Sequence, residues 1–181
     1  MDGEVLIDIV DVKTMLAHHT ITWDILNTGD EDIPGCDFAA SSIIRRSIKS
    51  INFRAADGSK NLLEVKPILD QPYTKAFAAL FRQPLAISER TKVVIEYDWE
   101  EPDRGYVYSV QFPHDQFGFR LLVPWGLEIH PSVKKTGFTA NVPDDDKQIQ
   151  QAIEVQEIAG KRAVEWKTSN VTPPSGIRLQ W

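Results

Sequence analysis

Four histidines give this sequence its most direct route to metal or acid–base chemistry, because imidazole titrates near neutral pH and ligates metals when neutral. They are His18, His19, His114 and His130. Adjacent residues of a strand project to opposite faces, so His18 and His19 do not share one ion. His114 stands beside Asp115 in a loop after Pro113, and His130 precedes Pro131. A metal or general-base site would need all of them to converge. Their spacing does not require it, and turn or surface positions are the simpler reading.

Carboxylates are the second source of chemistry. Asp30-Glu31-Asp32 and Asp144-Asp145-Asp146 present the hard oxygens that calcium prefers, but neither run alternates ligands around a central glycine with a closing glutamate. Solvated acidic turns explain both. Glu96 and Asp98 share one face of a strand, an arrangement open to paired glycosidase carboxylates. Retaining enzymes hold such groups about 5–5.5 Å apart, and alternate strand residues lie roughly 6.5–7 Å apart at Cα. The spacing permits the chemistry and does not specify it; a solvated outer face accounts for the pair.

Arg45, Arg46, Arg54 and Arg120 would form an anion site if the fold brought them together, whereas scattered surface arginines are the ordinary outcome. Trp125-Gly126 follows Pro124 at a strand end, where an exposed ring would bind a sugar, a peptide or a protein partner. A place in the core is nevertheless the commoner outcome for such a tryptophan. Candidate binding residues are therefore Trp125, Arg120, His114, His130, Arg45 and Arg46, with no catalytic or metal-ligating residue and no cofactor. The sequence holds no Gly-x-Ser-x-Gly elbow, phosphate loop or dinucleotide fingerprint. Asn170-Val171-Thr172 fits a glycosylation acceptor, which matters only in a secretory pathway.

Bulk properties narrow the field further. A net charge of −6 argues against a nucleic-acid partner, which calls for a basic footprint. Cys36 is the only cysteine, so neither an intrachain disulfide nor a cysteine-based zinc site can form; a reducing, cytoplasmic location fits, and a disulfide-free secreted bacterial module is the alternative. No apolar run approaches the roughly 20 residues of a membrane helix, and Met1-Asp2-Gly3-Glu4 lacks the basic start of a signal peptide. The chain stops on Trp181 inside a strand pattern, which reads as a piece of a larger, bacterial protein.

The elements that must position these residues are strands. Thr91 to Trp99 alternates, placing Val93, Ile95, Tyr97 and Trp99 on one face and Lys92, Glu96 and Asp98 on the other. Ile177, Leu179 and Trp181 repeat the pattern at the C-terminus. Val5 to Val12 is a β-branched run, and Thr20 to Leu26 buries Ile21, Trp23 and Ile25. Asn27 to Asp32 is a turn in which Gly29 supplies positive φ. Ile33 to Ser42 reads as a loop, Ser42 to Ala56 as a bent strand or two strands, and Asp57-Gly58 as a hairpin turn into Asn61–Val65. Tyr73 to Phe81 reads as a strand rather than a helix, ended by Gln83-Pro84. Tyr106–Phe112, Phe117–Val123, Leu127–His130, Ile153–Gln156 and Ala163–Lys167 follow as strands, with Val142–Lys147 a loop.

The whole is all-β. Glu100 to Gly105 is the best boundary, giving halves 1–101 and 102–181, each the size of an immunoglobulin-like β-sandwich. The tryptophan-bearing early strand running into Asn27-Thr28-Gly29-Asp30 resembles the second strand of bacterial immunoglobulin-like modules, in architecture only. Two sandwiches in tandem is the leading arrangement, and one large sandwich of about ten to twelve strands is the alternative. Function then belongs to loops and sheet edges, since strands are occupied by packing. The expected role is a non-catalytic binding module that associates with a protein partner or with itself. A small-ligand sensor with a cleft between the halves is the second reading. A hydrolase is the third, with no motif behind it.

Overall fold

Burial on alternate residues recurs strand after strand, and it builds the architecture. The computed structural model describes residues 2–41, 44–45, 47–110, 112–136, 154–173 and 175–181. Among these, the strands in chain order are β1 (Asp2–Asp11), β2 (Leu16–Leu26), β3 (Ile33–Ser41), β4 (Arg54–Asp57), β5 (Glu64–Asp70), β6 (Thr74–Leu85) and β7 (Arg90–Glu100). They continue with β8 (Gly105–Val110), β9 (His114–Pro124), β10 (Ser132–Thr136), β11 (Glu154–Ile158), β12 (Lys161–Val171) and β13 (Ser175–Gln180). A single 3-10 turn, Ile48–Ser50, is the only helical element among the described residues. The protein is all-β, and none of its described helices is long and apolar enough to cross a membrane.

The chain forms two compact units, one from Met1–Ala17 with Glu101–Trp181 and the other from His18–Glu100. In the first, β11-β12-β9-β1 form one layer and β10-β13-β8 the other. β1 pairs in parallel with β9, Asp2 opposite Gln116 through to Asp8 opposite Leu122. β12 runs antiparallel along the other side of β9. The layers meet through rings: Tyr108 of β8 lies 4.4 Å from Phe117 and Tyr106 lies 5.9 Å from Phe119, both on β9. Phe119 also touches Trp166 of β12. Ile177, Leu179 and Trp181 are buried, as their alternation predicts.

The second unit repeats the principle with β2-β7-β4 facing β3-β6-β5. Val93, Ile95, Tyr97 and Trp99 of β7 all lie in the core. Tyr97 packs on Phe38 of β3 at 5.4 Å and on Phe53 at 5.8 Å, while Phe53 stacks on Phe77 of β6 at 4.1 Å. Facing aromatics of this kind fill the roughly 10 Å between packed sheets.

Several local expectations are corrected. The stretch from Ile33 is a strand, not a loop: it lies at a sheet edge, where Pro34 removes no ladder bond, and a bulge between Ile33 and Gly35 absorbs the kink. A Cβ on Gly35 would overlap the Ala79 carbonyl oxygen, so only glycine fits this close approach. β6 continues through Gln83-Pro84, whose side chains are exposed. Leu127–His130 carries no strand, and His114-Asp115 begins β9 instead of lying in a loop. Ile25 is only half-buried, near the end of its strand. After Asp57-Gly58 it is Lys60 that takes the left-handed backbone, at φ 64°. Asp57 accepts bonds there from the Ser59 and Asn61 amides. Val142–Lys147, Asp144-Asp145-Asp146 and the start of Ile153–Gln156 lie outside the described residues.

Gly29 does not have positive φ either, because Asn27 organises that turn. Its buried side chain donates to the Leu85 and Glu31 carbonyls, both at 2.9 Å, and accepts from the Gly29 amide at 3.0 Å. Its backbone also exchanges bonds with Glu89 and Ser88. One side chain thus ties the β2–β3 and β6–β7 connections together. Replacing Asn27 by Ala strands two carbonyls, and we expect a loss of about 2–3 kcal/mol in urea unfolding; an unchanged midpoint would refute this role.

Candidate functional site

The best-presented side chain is Trp125, and the loop beneath it is built to hold it. β9 ends at Pro124, and Gly126 takes φ 92°, which turns the chain at once. Leu127 then plugs into the core, and two arginines secure the loop. Arg162 donates to the Leu127 carbonyl, and Arg104 Nη1 donates to the Glu128 carbonyl at 3.4 Å. Trp125 itself is 60% exposed, with the Arg162 guanidinium 6.0 Å from its ring centroid. A cation on one face and solvent on the other leave an indole that can stack against a partner. Trp125 is therefore a surface residue and not a core one.

The other candidates have structural employment or none. Arg120 Nε bonds Glu165 at 2.6 Å, and its Nη1 lies 3.7 Å from Glu4, so its charge is already met by two carboxylates. His114 is fully buried between Tyr108 and Phe117, with Nε2 3.1 Å from the Tyr108 hydroxyl. Burial holds its pKa down to about 4. His130 is exposed, its Nε2 3.4 Å from Glu128 in open solvent. Arg45 is also exposed, and Arg46 lies outside the described residues.

His18 and His19 point to opposite faces, as adjacent strand residues must. His19 is buried and stacked on Tyr97, ring centroids 4.6 Å apart. His18 faces outward between Asp98, 2.8 Å from Nδ1, and Glu96, 4.0 Å from Nε2. Those carboxylates address opposite ring nitrogens, an arrangement that orients the imidazole without gathering ligands at one point. Among the described residues no group of three His, Cys, Asp or Glu side chains could hold a metal ion. Cys36 is half-buried, and burial pushes its thiol up to about 12, which removes it as a nucleophile at neutral pH.

Sequence reasoning missed Lys75. It occupies the inward face that Phe77 and Ala79 continue, and its ammonium bonds Asp70 at 2.8 Å and the Gln71 carbonyl. The alternation in β6 was the available signal, since it puts a lysine on the apolar side. The lysine secures the β5–β6 turn, so its role is structural.

No protein-family model matches the chain, and no curated protein matches it. Solved structures do. An M1 zinc metallopeptidase from Deinococcus radiodurans is 9% identical with a TM-score of 0.53, over 99% of this chain and 41% of that one. A protease-like protein from Parabacteroides distasonis is 8% identical with a TM-score of 0.54, over 99% of this chain and 39% of that one. Native leukotriene A4 hydrolase from Saccharomyces cerevisiae is 8% identical with a TM-score of 0.50, over 98% and 28% respectively. At such identities the likeness is one of fold: a β-sandwich architecture. This chain spans well under half the length of each.

Stability measurements separate the two kinds of candidate. Trp125→Ala should change unfolding free energy by no more than about 0.5 kcal/mol, as for a free surface residue. Arg120→Met leaves the nearly buried Glu165 without its partner and should lose about 1–2 kcal/mol, part of it recovered by adding Glu165→Gln. The reverse ranking in urea titrations would contradict this assignment.

Proposed function

We propose that this chain is a non-catalytic β domain of a longer, M1-metallopeptidase-like protein, and that it works by associating with protein surfaces through its loops and sheet edges. The observation that carries this reading is the coverage. The fold likeness takes in nearly all of this chain but only 28–41% of the three solved chains. A zinc peptidase needs a clustered ligand set and a polarised water. The described residues offer no such cluster, so the reading assigns that chemistry to another part of the longer protein. What this chain does offer is exposed apolar area: Trp125 on its anchored loop, Val155 on the edge strand β11, Ile68 on the edge strand β5 and Leu62 just before it. Tryptophan is among the residue types most enriched in binding hot spots, which singles out Trp125, whereas aliphatic groups displayed singly are common on any surface. The free thiol of Cys36 fits a reducing compartment, and we place the protein in the cytoplasm.

Two measurements test the proposal. The purified chain, supplied with zinc, should hydrolyse aminoacyl-coumarin substrates no faster than buffer and should retain zinc far below one ion per chain. Turnover that a chelator abolishes would overturn the non-catalytic reading. Sedimentation velocity over a wide concentration range should show a rising mass that Trp125→Ala suppresses, and a strictly monomeric chain would remove self-association as the mode.

A further inference from the structure

At the opposite end of β9 from Trp125 lies a titratable group that the association reading does not use. His114 opens β9 directly after the exposed Phe112-Pro113 corner. Its ring touches Phe117 at 5.1 Å between centroids and Tyr108 at 5.7 Å. It also lies on the bare backbone of Gly3 in β1, where an added Cβ would stand 3.0 Å from its Cε1 and 2.9 Å from the Phe117 ring. Val171 of β12 is its partner across the sheet. Three other strands therefore meet at this imidazole.

Its hydrogen bonding suits only the neutral form. Neutral imidazole has one donor and one acceptor, and the Tyr108 hydroxyl serves either at Nε2. Nδ1 is buried and has no hydrogen-bond partner. In the cation both nitrogens donate, so a charged N–H would face apolar surroundings without an acceptor, which is costly. Among the nearby charges the N-terminal ammonium disfavours the cation, whereas Asp2 of β1 and Asp115 of β9 favour it. Burial outweighs them.

We propose that the β8–β9 corner is an acid-responsive latch: protonation expels the His114 ring and opens residues 112–115, together with the first residues of β1, while the rest of the chain stays folded. The opening is local because the grip of β9 on its neighbours lies further in, at the buried Phe117, Phe119 and Leu121, and strand ends open most cheaply. The sign follows from linkage. In the open form the imidazole returns to an ordinary pKa near ~6.5, whereas in the closed form it is held at about 4. The open form therefore binds more protons between those values, and it gains population as pH falls through that window. Between about pH 7 and about pH 5.5 the open population should rise roughly tenfold. The rings of Tyr108 and Phe117 would then be uncovered under mildly acidic conditions.

Hydrogen exchange followed by mass spectrometry, corrected for intrinsic rates, tests the latch at those two pH values. Peptides covering 2–6 and 105–117 should lose about tenfold in protection, while peptides from 18–100 should not change. His114→Gln can still accept from Tyr108 but does not titrate, so it should abolish the response; His114→Phe serves as a second non-titrating variant. Equal acid responses in wild type and variants, no rise in wild type, or a rise spread evenly along the chain would each overturn the proposal. If neither variant folds, an NMR titration of the wild-type His114 ring decides. A depressed pKa with exchange broadening confined to the corner supports the latch, and an ordinary pKa without broadening ends it.

Discussion

Ring-on-ring packing between facing sheets is the constraint on which everything else in this protein depends. Each unit has one dense group of aromatics: Phe38, Phe53, Phe77 and Tyr97 in one, and Tyr106, Tyr108, Phe117, Phe119 and Trp166 in the other. These side chains are large enough to span the gap between layers, so they set the sheet spacing and with it the position of every strand end. The Trp125 loop is placed by this packing. It leaves β9 just after the buried run Phe117–Phe119–Leu121–Val123, and its own anchor Leu127 returns to the same core.

Two polar side chains that enter these interiors are bound to specific partners. Asn27 and Lys75 are both buried, and both spend their hydrogen bonds on backbone carbonyls of adjacent turns. Such bonds add little net stability when made but are costly to lose, so they fix one geometry for a connection that apolar packing alone would leave loose. The outer face of the first unit follows a related logic. Arg120 between Glu165 and Glu4, and Lys161 against Asp8, cross-link β9, β12 and β1 from the solvent side. A sheet with a parallel pair inside it is thereby clamped on both faces.

The alternating faces of β7 and β13 were legible from residue types alone, because a period of two with branched and aromatic side chains has one reading. The same holds for the strand character of β6. Less legible was β3, where Pro34 and Gly35 imitate a loop signal while serving an edge and a close approach. Leu127–His130 failed in the opposite sense: Leu127 is apolar because it plugs a loop, not because it alternates in a strand. At the candidate site, the position of Trp125 beside a turn allowed an exposed ring, but a tryptophan among strands reads first as core, and the structure has it at the surface instead. That Arg162 and Arg104 anchor its loop could not be foreseen, since both are distant in sequence. The fate of Arg120 and His114 was equally hidden, because pairing with Glu165 and stacking under Gly3 depend on register between strands far apart in the chain.

The parallel pairing of β1 with β9 has a consequence for how this protein is made. On one edge, residues 2–8 find their partners at 116–122, and β9 in turn needs β12, which begins at Lys161. The His18–Glu100 unit is continuous and can close as soon as it leaves the ribosome. β1, a β-branched segment, must meanwhile wait with the edge that faces β9 unpaired until residues 114–171 have been synthesised. Its acids Asp2, Glu4 and Asp8, all on one face, are then useful in the nascent chain as gatekeepers that discourage premature pairing during that delay.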